Sequence, residues 1–168
     1  MNAPIATVPK PGIFSLPYTS VTAAAAVVAA GASAAALALG LPVWAMFIGW
    51  VAFYTRGVNL RDGLINLVCV SAGVLFGKAA AVAISLLSPA LGTAAMPVVV
   101  LVVASVVVSL RGVPRINNLL CYFLGLISFF AVHQPPSLAV FATLAGAAAL
   151  GSAAAWLAHQ LQQLSSAH

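Results

Sequence analysis

Charge is nearly missing from this chain. Only 4 % of its 168 residues are Asp, Glu, Lys or Arg, and a single one of them, Asp62, is acidic. A soluble domain carries roughly 25 % charged residues to present a wetted surface. Six Lys and Arg and one Asp cannot cover a chain whose residues are 64 % hydrophobic, so lipid is the expected solvent. The shortage of acids excludes a second class. Transport coupled to carboxylate protonation needs an ionisable acid buried in its path, and none is available. Cysteine is scarce as well: Cys69 and Cys121 lie inside apolar runs, without a CxxC partner or a His at ligand spacing, and read as small packing residues. No metal and no cofactor is expected. No nucleophile–base pair, phosphate-cradling glycine loop or soluble domain is present, so an enzyme is not expected. The basic residues are spread along the chain rather than massed with stacking aromatics, which argues against a nucleic-acid partner.

What the chain has in quantity is apolar text in blocks. Residues 1–20 hold Pro4, Pro9, Pro11 and Pro17, a density that blocks a helix through lost N–H donors, and are expected to form a loose tail. Six runs follow: Val21–Leu41, Val43–Tyr54, Gly63–Leu87, Ala94–Leu110, Leu119–Val132 and Leu138–Ala158. A bilayer core of about 30 Å needs about 20 helical residues. The second and fifth runs are short and need flanking residues, a thinned bilayer or shielding by protein. The expected fold class is an all-α membrane protein with six transmembrane segments over 21–158 and a second tail over 159–168.

The charges give an orientation. Lys10 precedes run one, Arg56 and Arg61 separate runs two and three, and Arg111 and Arg115 separate runs four and five. With the N-terminus in the cytoplasm all five lie on that side, and the opposite connections carry none, as positive-inside bias requires. Both termini are then cytoplasmic.

The runs also repeat. Phe47, Gly49, Phe53 and Tyr54 match Phe123, Gly125, Phe129 and Phe130 at an offset of 76; Gly73, Gly77 and Lys78 match Ala147, Gly151 and Ser152 at 74. Three runs per half, 21–87 and 94–158, make a 3+3 inverted-topology repeat, a plan shared by many transporters with a site near the midplane. Gly73 with Gly77 and Ala147 with Gly151 form small-residue strips that admit a close helix neighbour, either each other at the axis or a second copy in a homo-oligomer.

Two functions fit. One is a passive channel or facilitator for a small uncharged polar solute of urea-like size. Its candidate pore or gate residues are Phe47, Phe53, Phe123 and Phe129, whose rings at repeat-related positions would narrow a path and reject ions by desolvation. Asn66, Thr143, Lys78 and His133 are candidate polar lining. The other is a non-conducting membrane protein that oligomerises or binds a partner through Ala/Gly-rich faces. Helix packing competes for the phenylalanines, snorkelling for Lys78, an interfacial turn for His133, and bonds to neighbouring helices for Asn66, Ser71, Asn117, Asn118 and Thr143. Asp62 is expected as the N-cap of run three.

The stretch LGLPVWAMFIGWVAFYTRG (Leu39–Gly57), with its W-x-x-F-x-G core at Trp44, Phe47 and Gly49, resembles the YcdZ-like family of small bacterial inner-membrane proteins, a domain of unknown function. The resemblance runs from about Val21 to Leu161. It implies a multi-pass fold in a bacterial inner membrane and supplies no substrate or site residue. The short-segment plan is similar in outline to urea-type channels, without their signature motif.

Overall fold

The computed structural model describes residues 16–166. Most of the expected N-terminal tail, with Lys10, and residues 167–168 lie outside that range. Within it the chain forms six α-helices: α1 (Leu16–Ala38), α2 (Val43–Tyr54), α3 (Leu60–Leu91), α4 (Ala95–Ser109), α5 (Leu119–Ala131) and α6 (Leu138–Ser166). Two single 3₁₀ turns, Gly92–Ala94 and Leu110–Gly112, flank α4. No strand occurs among the described residues.

The helix ends correct two boundaries. α1 begins at Leu16 rather than after Ser20; Pro17 falls in its first turn, where a missing backbone N–H has no helical acceptor to lose. α6 continues past His159 to Ser166, so most of the expected C-terminal tail is helical. Asp62 is not the cap of α3. Asn59 is: its side-chain oxygen accepts from the Asp62 backbone N–H at 2.9 Å. The counterpart at α6 is Ser137, whose Oγ accepts from the Val140 N–H at 3.1 Å.

Three helical stretches are long and apolar enough to cross a membrane: Tyr18–Ala38, Leu60–Gly112 and Leu138–Leu164. Val43–Tyr54 and Leu119–Ala131 are shorter apolar helices. The middle stretch is not one rod. Pro89 sits in the last turn of α3, and Gly92 takes φ +54, a left-handed value that costs glycine little. The chain turns back there, and Ala83 and Leu87 of α3 share a groove with Val99 and Val103 of α4. Large apolar side chains point outward on all sides: Leu37, Leu86, Leu101 and Leu138 are 70 %, 74 %, 69 % and 74 % exposed. Apolar surface this extensive is a surface for lipid.

Inside the bundle α3 packs along α5 and α2 along α6; α4 lies outside α3 and α1 outside α6, while α3 and α6 meet at the centre. Glycines set the two main contacts. A Cβ on Gly125 would strike the Val70 carbonyl, and one on Gly49 the Ala148 carbonyl. A Cβ on Gly73 would strike the Tyr122 carbonyl, and one on Gly151 that of Met46. The two strips of small residues therefore do not face each other across an axis: Gly73 and Gly77 receive α5, the latter at Phe129, and Gly151 receives α2. Ala147 is fully buried. These contacts recur at offsets of 76 for α2 and α5 and 78 for α3 and α6. The offset between α3 and α6 is thus 78 rather than 74, and the loop before α6 is one residue longer than the loop before α3.

Candidate functional site

An apolar chain concentrates its few polar side chains where helices end, because the first N–H and last C=O groups of each helix need partners. Here they collect where α2 stops and α3 and α5 start. Asn66, one and a half turns into α3, is fully buried. Its Nδ2 donates to the Ala52 carbonyl at 3.0 Å and the Arg56 carbonyl at 3.3 Å. Its Oδ1 accepts from Asn118 Nδ2 at 2.7 Å, and Asn118 also donates to Thr55 Oγ1 at 2.7 Å. Thr55 Oγ1 lies 3.4 Å from Cys121 Sγ. One layer outward, the Arg56 guanidinium donates to Asn117 Oδ1 and to the Arg115 carbonyl, each at 2.5 Å. Its Nε is buried without a hydrogen-bond partner but sits 3.9 Å from the Asp62 carboxylate. Asn59 Nδ2 holds that carboxylate from the other side at 2.7 Å. The network joins the loop after α2 to the loop before α5, across residues about 60 apart in sequence.

This junction is a latch. It contains no nucleophile beside a base, and no group of three or more His, Cys, Asp or Glu placed to hold a metal occurs among the described residues. Cys69 and Cys121 are buried and unpaired at its floor.

The candidate pore residues are not brought together. Phe53 is buried, edge-on to Tyr54 and 6.4 Å from the His159 ring. Phe129 is buried over Gly77 and edge-on to Phe130. Phe47 is 39 % exposed beside Trp50, and Phe123 lines an outward-facing groove between α4 and α5. No ring of these four stacks on another of them among the described residues. Asn66 belongs to the latch rather than to a path. Thr143 and Lys78 are half-buried on α6 and α3, and His133 is exposed at φ +51 with Nδ1 2.8 Å from the Ala131 carbonyl. The hydroxyls of Ser33, Ser105, Ser109 and Ser128 bond back to carbonyls four residues earlier, the usual outcome for a hydroxyl inside an apolar helix. A groove of about 500 Å³ is lined by apolar side chains of α3, α4 and α5 and opens to the outside of the bundle with His133 at one end.

Thr55 and Asn59 are the members of the site that sequence reading passes over. The available cue was positional: polar residues end run two and begin runs three and five, so a shared end of the bundle would gather them.

A family model described as a protein of unknown function (DUF1097) matches residues 20–159. The chain belongs to the DUF1097 family. The match covers all six helices apart from the outer ends of α1 and α6, and so includes every residue of the latch. No curated protein and no solved structure matches the chain. For this DUF1097 protein the functional reading therefore rests on its own geometry.

Proposed function

We propose that this DUF1097 protein lies in a bacterial inner membrane, as the YcdZ-like resemblance implies, and crosses it six times as a 3+3 inverted repeat with both termini in the cytoplasm. The paired contacts support this reading. Gly125 on Val70 corresponds to Gly49 on Ala148, Gly73 on Tyr122 to Gly151 on Met46, and the Asn59 cap to the Ser137 cap. The arginine-bearing loops share one end of the bundle through the Arg56 bridge, in keeping with the positive-inside rule. Reporter fusions after Lys10, Arg61, Arg115 and His168 are expected to read cytoplasm at all four points; an external reading at any one breaks the topology.

Of the two functions, the geometry favours the non-conducting one: a membrane scaffold that binds a partner or further copies through small-residue faces. The observation that carries it is closure. The halves meet backbone on glycine, and Asn66, the fully buried member of the polar lining candidates, is bonded to Asn118 and the Ala52 carbonyl. A strip of exposed small residues, Ala26, Ala30 and Ala34, runs along the outer face of α1 at four-residue spacing, the pattern that lets helices associate closely in lipid. The channel reading keeps the support of the inverted-repeat plan alone. A liposome-swelling screen over small neutral solutes and ions separates the two. Protein-loaded liposomes are expected to match empty ones, and Phe53→Ala with Phe129→Ala to change nothing. Solute-selective swelling that rises in those variants would restore the channel.

A further inference from the structure

One groove starts at the same turn of α3 as an exposed cation. It lies between the first two turns of α3 and the middle of α6, holds about 390 Å³, and its lining includes Leu60, Leu64, Leu67, Ser152, Ala153 and Trp156. Residues 60 to 67 span roughly 10 Å of helix, so the groove reaches that far inward from the loop end. Arg61 stands on the flank of the same first turn and is exposed. Side chains in a helix lean towards its N-terminus, which carries the guanidinium outward to the level where a bilayer changes from acyl chains to headgroups. Trp156 marks that level from α6, as interfacial tryptophans do.

Among the described residues no acidic side chain is left to pair with Arg61. Asp62 is the only acidic side chain of the sequence, and it is committed to Arg56 and Asn59. A second copy would bring no free side-chain carboxylate to Arg61. Nor does the repeat supply a twin: the position related to Arg61 by the offset of 78 is Ala139. A largely apolar slot with an exposed guanidinium on the flank of its first turn has the chemistry of one ligand class that membranes contain. We propose that this groove is a binding site for an anionic phospholipid of the leaflet at the arginine end, with an acyl chain between α3 and α6 and the phosphate on Arg61. The inference rests on membrane embedding but not on the number of crossings or on conduction.

The test uses the full chain purified in mild detergent, titrated with phosphatidylglycerol or with phosphatidylcholine of the same chains, and read as thermal stability and as lipid retained after washing. The expected preference for phosphatidylglycerol is about fivefold, the factor matching about 1 kcal/mol per basic residue near a membrane surface. Arg61→Gln is expected to remove the preference while leaving weak binding of both lipids. Ala153→Trp, which fills the slot from an exposed position, is expected to remove binding of both. Arg115→Gln, on the other arginine loop, is expected to keep the preference. No preference in the wild type, an undiminished one in Arg61→Gln, or equal loss in Arg115→Gln would overturn the site. Dimers that Ala153→Trp disperses would give the groove to a second copy instead. Because the readout needs neither bilayer nor flux, failure here leaves the topology and the scaffold reading standing on their own tests.

Discussion

Gly125→Ala and Gly49→Ala are expected, with Gly151→Ala, to be the most damaging single-methyl substitutions in the helix seams. The added carbon has no side chain to displace; it meets the carbonyls of Val70 and Ala148, fixed in the backbones of α3 and α6. Relief requires one helix to move away from the other along its whole contact, and dispersion between the helices falls off steeply with a fraction of an ångström of separation. Overpacking of a close contact costs roughly 1–3 kcal/mol, occasionally more, and these two sites belong at or above the top of that range. Gly31 is the control. A Cβ there meets nothing within 4 Å, and replacing an exposed helical glycine by alanine gains up to about 1 kcal/mol. Heating the purified variants in detergent and measuring the fraction that stays monodisperse reads both signs at once. Variants at Gly49 and Gly125 as heat-resistant as Gly31→Ala would mean that the interhelical seams are looser than described.

The second large effect is expected at the latch. Asn66→Leu replaces a fully buried amide with an apolar side chain of similar reach, yet it strands the Arg56 carbonyl, thins the bonding of the Ala52 carbonyl and leaves Asn118 with one acceptor fewer. A buried polar group left without its partner costs about 1–3 kcal/mol, and several are affected here. The substitution is informative because the repeat-related residue at 78 positions on is Leu144, which is also fully buried. Leucine is therefore acceptable at this place in the fold and unacceptable only because of the hydrogen bonds at this end. Asn118→Ala should lose much of the same stability, and the double variant less than the sum, since one bond is counted in both. Additive losses, measured by thermal or denaturant unfolding in detergent, would show two independent sites rather than one network.

The membrane class, the helix count and the pairing of short runs were legible because each follows from composition or from blocks of apolar text. Turn chemistry was less so. Asp62 and Asn59 both qualify as caps by residue type; the choice depends on where the left-handed Gly57 and Val58 release the chain into α3. The matched blocks stand out at their aromatic positions, since Phe and Gly are distinctive against an Ala/Val background. Its register in α3 and α6 was misjudged because those helices offer small residues at almost every turn, and one Gly-to-Gly match looks as good as another. Only the contacts of Gly73 and Gly151 with Tyr122 and Met46 decide it. The four phenylalanines are matched in sequence but do not meet: Phe53 and Phe129 each pack on a glycine of α3, Gly63 and Gly77, two positions that the offset of 78 does not relate.

The two ends of the bundle are built from different materials. Side chains tie the α2–α3 loop to the α4–α5 loop at the arginine end. At the far end the corresponding positions 131, 132 and 144 are Ala, Val and Leu, and the hydrogen bonds around His133 and Ser137 stay within their own turns. Hydrogen bonds resist sliding and tilting through their geometry, whereas apolar contacts are non-directional and let surfaces shear. The molecule should therefore behave mechanically like tweezers, with a stiff root at Arg56 and tips that splay. Changes in bilayer thickness or lateral pressure would then be felt mainly at the leaflet facing Ala131 and Val132. Amide exchange there should quicken first when the surrounding lipid is thinned, with the root around Asn66 the last to open.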